Sequence, residues 1–166
     1  PGLTFSDWAA GRGHVGDFAN GAYAGVLRRG RGRVEARLSR EGSLGPYRIR
    51  VAKTISLSAG DPNMITARYE LSQLPREVPI HFGVEFNFAA MPAGAQDRYY
   101  YDQRGRRVGD LGAQLQLPRQ ERLGMVDEWL GLDVCLDTSV PADIWSTPIQ
   151  TVSQSEAGFE LIHQSC

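Results

Sequence analysis

The sequence predicts an all-β domain, and three observations carry that prediction. Apolar and polar residues alternate with a period of two in run after run. Clusters rich in Gly, Pro and Asn separate the runs at intervals of about ten to fifteen residues. No window of about 12 residues holds a convincing helical period. Of the 166 residues, 42% are hydrophobic and 22% charged, a composition that excludes a disordered or collagen-like chain. The length predicts one domain over residues 1–166, with enough interior to fold without a metal or a disulfide framework.

The runs follow in order. Val34, Ala36 and Leu38 alternate with Arg33, Glu35, Arg37 and Ser39. Ile49, Val51, Ile55 and Leu57 alternate with polar residues, interrupted by Lys53. Ile65, Ala67, Tyr69 and Leu71 form the next run, and Ile80, Phe82, Val84, Phe86 and Phe88 another. Leu111, Ala113, Leu115 and Leu117 precede a last clear alternation, Leu132, Val134 and Leu136. Turns are expected at Arg29–Gly32, Glu41–Pro46, Ala59–Asn63, Gln73–Pro79, Ala90–Gln96 and Gln103–Gly109. Glu121–Leu132 comes nearest to a helix, but Gly124 and Gly131 weaken it. About ten antiparallel strands in two stacked sheets, a β-sandwich, result. The Phe stripe from Phe82 to Phe88 is expected in its core.

A formal charge of −1 gives no electrostatic footprint for nucleic acid or an acidic membrane. Lys53 is the one lysine among 18 basic residues. The Arg28–Arg33 run therefore reads as a solvated hairpin in an Arg-rich chain. No run of about 18 apolar residues exists to span a bilayer, and no signal peptide is visible. Cys135 and Cys166 lack the His pair of a zinc site and read as free thiols, with a disulfide between them left open. No cofactor follows. The chain begins at Pro1 without Met and stops just after an apolar alternation, so both ends read as cuts through a longer polypeptide.

Candidate chemistry sits in a few places. His81, Glu85 and Asn87 share one face of a single expected strand, with Arg68 and Glu70 on the strand before it. Such a face hydrogen-bonds sugar hydroxyls, or gives Glu85 as a base and His81 as an acid; it reads equally as a solvated outer surface. Tyr99, Tyr100, Trp129 and Trp145 supply ring faces of the kind that stack on pyranoses, or else pack partly buried with their polar tips bonded. Asp127, Glu128, Asp133, Asp137 and Asp143 gather in the last third and read as solvated acids, without the alternating acidic loop of a calcium site. No nucleophile elbow, phosphate loop or HExxH stretch is present.

An ordered set of segments carries a family resemblance: Gly16–Tyr23 (GDFANGAY), Leu38–Gly42, Lys53–Ile55, Tyr69–Leu71, Phe82–Asn87 and Trp145–Glu160. This set resembles the C-terminal domain of glycoside hydrolase family 57 enzymes of the α-amylase and 4-α-glucanotransferase type. The resemblance implies a galactose-mutarotase-like β-sandwich, a catalytic (β/α) barrel N-terminal to it as its partner in the same chain, and a cytoplasmic location. It implies no catalytic residue here, since the family's chemistry lies in the barrel. It leaves a supporting domain that also contacts α-glucan or maltooligosaccharide, a stand-alone glucan-binding module, or a mutarotase-like sugar epimerase.

Overall fold

The computed structural model describes residues 3–88, 95–155 and 158–165. Its contacts divide the chain into two compact units, Pro1–His81 and Phe82–Cys166. Both are built from antiparallel strands, so the chain is all-β, the class a β-sandwich requires.

In the first unit, β1 (Ala24–Gly30), β2 (Arg33–Leu44), β3 (Tyr47–Ser58) and β4 (Asp61–Ser72) form one sheet in that order. Two-residue turns join them. Gly32 and Gly45 take φ of 72° and 57°, a conformation that costs a Cβ-bearing residue and suits a tight hairpin. The turn expected across Glu41–Pro46 is shorter in fact. Ladder pairing continues to Leu44↔Tyr47, and Gly45 and Pro46 alone make the bend. The register aligns Val34, Leu57 and Ile65 in one row and Leu27, Ala36, Ile55 and Ala67 in the next. All lie on the face that also carries Ile49 and Val51. Those last two are buried, whereas Leu27, Val34, Ile55, Leu57 and Ile65 are exposed. The opposite face bears Arg33, Glu35 and Arg37, with Glu35 held between the two guanidinium groups. One short helix, α1 (Phe5–Ala9), precedes the sheet. Thr4 caps it by accepting the Asp7 N–H at 3.2 Å, a local bond that hydrophobic periodicity does not register.

In the second unit, β5 (Arg98–Asp102), β6 (Arg107–Asp110), β7 (Leu115–Asp127) and β8 (Leu132–Ser146) form a sheet in the order β6-β5-β7-β8. A hairpin of β9 (Ile149–Ser155) and β10 (Gly158–Ser165) follows. The glycines that weaken a helix over Glu121–Leu132 fall in β7 and in the β7–β8 turn. Tyr100, Leu111, Leu115, Leu123, Met125 and Ile144 form the buried cluster, with Phe88, Val108 and Val134 packed against it. Leu111 reaches that core from a turn and not from the strand expected at Leu111–Leu117. The Ala113 N–H bonds the Asp110 carbonyl at 3.0 Å, and the Asp110 side chain accepts the Gly112 N–H at 2.9 Å.

The strand expected over Ile80–Phe88 is corrected. Residues 78–88 carry no ladder. Alternation assigns faces, but a strand also needs a neighbour to accept its hydrogen bonds, and β4 is the edge of its sheet. Phe82 is 47% exposed, and Val84 and Phe86 are exposed as well; Phe88 alone of the stripe packs on the core.

Asp102 anchors the β5–β6 turn. It accepts the Arg104 and Arg106 N–H groups at 2.9 and 3.0 Å and the Arg106 guanidinium at 2.9 and 2.6 Å. The Arg106 side chain, then these backbone donors, hold its carboxyl at about 2, below the ordinary 3.8. A depressed folded pKa gives stability that is full above the unfolded value and is lost as pH falls through the folded one. The thermal midpoint is therefore expected to fall between about pH 4 and pH 2, and Asp102→Asn to shallow that fall. Identical pH profiles for the two proteins would contradict it.

Candidate functional site

In the first unit, the segment before β1 folds back onto the end of β2. Asp17 accepts the Ser43 N–H at 2.9 Å and the Arg40 Nη2 at 2.7 Å. Arg40 Nη1 donates to the Ala22 carbonyl at 3.1 Å. The Ser43 N–H and then Arg40 outweigh partial burial and lower the Asp17 pKa. Two glycines make this close approach. A Cβ at Gly42 would fall on the Asp17 carboxylate and the Phe18 ring, and one at Gly21 on the Arg40 guanidinium. Lys53 lies beside this site on the same sheet face as Arg40, its Nζ 4.0 Å above the Tyr23 ring. It is paired across the ladder with Tyr69. Burial raises the pKa of both Tyr23 and Tyr69, so both hydroxyls stay protonated at neutral pH.

This constellation is not among the residues singled out from sequence. Its signal was present. Arg40 and Lys53 both occupy positions on the apolar face of the first sheet, where a charge interrupts the alternation. A charge on an apolar face needs partners, and Asp17 and Tyr23 supply them.

In the second unit, Trp129 stands at the tip of the β7–β8 turn with 78% of its surface exposed. Below it, the fully buried Asp127 ties the turn. Its side chain accepts the Leu130 N–H at 2.9 Å and the Arg98 Nε at 2.8 Å. Burial alone would raise this carboxyl; the Leu130 N–H, Arg98 and the Trp129 N–H reverse that and lower it. Tyr99 is half-buried, with the Arg107 guanidinium 4.6 Å from its ring centre. Trp145 is half-buried on the face of β8 opposite Ile144 and Ser146. Tyr100 is corrected as a stacking residue. It is 1% exposed in the core, and its hydroxyl accepts from Ser146 Oγ at 3.0 Å, so no sugar reaches its ring. Tyr101 lies over Gly124, where a Cβ would meet its ring, and donates to Asp133 at 2.9 Å.

The remaining candidates do not assemble as expected. Arg68 and Glu70 share the polar face of β4 and pair with each other at 2.7 Å. His81, Glu85 and Asn87 are exposed in the segment without a ladder, so the pleat that was to align them on one face is not formed. Among the acids of the last third, Asp137 pairs with Arg122 at 2.6 Å, and Asp143 accepts the Arg119 N–H at 3.0 Å. Among the described residues, no three His, Cys, Asp or Glu converge to hold a metal ion, and no helix is long and apolar enough to cross a membrane.

Compared with known families, residues 1–166 match the one described as alpha-amylase/4-alpha-glucanotransferase, C-terminal. The chain belongs to this family. No curated protein and no solved structure matches it significantly. In this amylase/glucanotransferase C-terminal domain, the segments that carried the resemblance now have physical roles. Asp17, Tyr23, Arg40, Gly42, Lys53 and Tyr69 come from four of them and gather at one end of the first sheet. Trp145–Glu160 reaches from β8 to β10. The described residues hold antiparallel sheets and no (β/α) barrel.

If the glycines are required by the Asp17–Arg40 pair, Gly42→Ala should destabilise the domain by about 1–3 kcal/mol, the usual cost of overpacking. Gly83, with open space at its Cβ position, serves as control; Gly83→Ala should stay within about 0.5 kcal/mol of the parent. Urea midpoints at unchanged slope measure both, and equal effects would contradict the assignment.

Proposed function

We propose that residues 1–166 work as one non-catalytic domain of an α-glucan-acting enzyme of glycoside hydrolase family 57, packing against and supporting its N-terminal catalytic barrel. The uncovered apolar face of β1–β4 carries this reading. Val34, Leu57 and Ile65 stand in one row and Leu27 and Ile55 in the next, and all five are exposed, Ile65 to 71%. Apolar surface left in water forfeits about 25 cal/mol per Å², and contiguous patches of this kind mark interfaces. The family's C-terminal placement supports the catalytic part of the same polypeptide as the occupant.

The test compares the isolated domain with the full-length polypeptide. Ile65→Glu and Leu57→Glu should lower the stability of the full-length protein by roughly 1–3 kcal/mol each, the loss of a buried aliphatic side chain. The same substitutions should shift the isolated domain's melting temperature little. Equal shifts in both proteins would overturn the supporting role.

A second reading, contact with the α-glucan itself, is favoured by Trp129. Its exposed indole sits on a turn fixed by the buried Asp127, and a rigid aromatic plane matches the apolar face of a pyranose. Tyr99, Trp145, Arg68, His81, Glu85 and Asn87 are the further candidates for that contact. Titration with maltoheptaose should saturate in the millimolar range, and Trp129→Ala should weaken it at least about tenfold. Unchanged affinity in that variant would remove Trp129 from the contact.

A further inference from the structure

We infer that a cavity in the first unit, beside the Asp17–Arg40 pair, is a second carbohydrate-contact site, taking a terminal sugar unit or a comparable vicinal polyol. The ligand class rests on the α-glucan reading above; the place rests on residues that reading does not use.

The cavity holds about 360 Å³, within the range of sites that take small molecules. His14, Asp17, Asn20 and Arg40 line it, and the rest of its wall is the small residues Gly16, Ala19 and Gly21, so a ligand meets backbone and polar tips. Two features suit these groups to hydroxyls. First, Asp17 and Arg40 already neutralise each other at 2.7 Å, which removes the net charge that would select an ion. The carboxylate keeps acceptor capacity beyond its two protein donors. Second, among the described residues, neither His14 nor Asn20 uses its side chain in a hydrogen bond, although both border the cavity. An Asn amide offers a donor and an acceptor side by side, the pattern that two neighbouring hydroxyls match. The arrangement is held in advance of binding. Arg40 is clamped by Asp17 and the Ala22 carbonyl, and Gly21 leaves the space its guanidinium fills. A fixed guanidinium loses little freedom when a ligand arrives.

The test is a nuclear magnetic resonance titration of the ¹⁵N-labelled 166-residue chain with glucose and with maltoheptaose, and with sodium sulfate as an anionic probe. The Gly21 amide, the Asn20 side-chain amide and the Arg40 Nε–H should shift with both sugars and saturate at a Kd in the millimolar range. Asn20→Ala and His14→Ala should each weaken that response by roughly tenfold, the effect of one lost hydrogen bond. Both residues are exposed, so the variants should keep the parent spectrum elsewhere. Trp129→Ala should leave these signals unchanged. Sugar-induced shifts confined to the Trp129 turn would overturn the cavity site while leaving the glucan contact at Trp129 standing. No shift anywhere at saturating sugar would overturn both. A sulfate response as strong as the sugar response would overturn the polyol assignment.

Discussion

Side chains on a strand alternate between two faces, and the apolar face of each sheet has to leave water. In the second unit Tyr100, Leu111, Leu115, Leu123, Met125 and Ile144 close over one another, while Leu132, Val152 and Phe159 stay exposed. In the first unit that demand is met at one end only. Ile49 and Val51 are buried, and the same face opens to solvent at Leu27, Val34, Ile55, Leu57 and Ile65. A sheet whose apolar face is only half covered within its own unit is built to be completed by something else. That imbalance ties the fold to its proposed place in a larger enzyme.

The polar groups inside the fold act as fixings. Asp127 is fully buried, yet Arg98 and two backbone donors keep it ionised, and the turn that it ties presents Trp129 to solvent. Asp102 does the same for the β5–β6 turn through Arg106. In the first unit, Asp17 and Arg40 join the N-terminal segment to the end of β2. Removing Arg98 or Arg106 would leave the buried Asp127 or Asp102 short of a partner, so these pairs specify a geometry as well as adding stability. The exposed features proposed for glucan contact stand on these pairs: the indole of Trp129 in one unit, the polar walls of the cavity in the other.

Much of this was legible in the sequence, for reasons that differ by residue. The alternations at Val34–Leu38, Ile49–Leu57, Ile65–Leu71 and Leu132–Leu136 lie within β2, β3, β4 and β8, because each has a neighbouring strand to bond. Ile80–Phe88 alternates as cleanly and forms no strand, because periodicity carries no information about hydrogen-bond partners. Leu111 was placed correctly in apolar surroundings but in the wrong element, since the Asp110 turn depends on side-chain bonding. Trp129 and Tyr100 look alike in sequence, a ring beside acids in one case and beside other tyrosines in the other. Three-dimensional pairing puts one at a turn tip and the other opposite Met125 in the core. The Asp17–Arg40 constellation was missed although Arg40 and Lys53 break the apolar pattern. An interruption shows that a partner is needed without showing which residue provides it.

Amide hydrogen exchange tests most directly whether the open face of the first sheet is a docking face. Exchange would be followed for β1 and β4 in the isolated 166-residue chain and in the full-length polypeptide under the same conditions. If the catalytic part covers this face, amides of β4 from Ile65 to Leu71 and of β1 around Leu27 exchange markedly more slowly in the full-length protein, while those of β7 change little. Equal exchange of β1 and β4 in the two proteins would mean that the face stays open, and the supporting role built on it would fall.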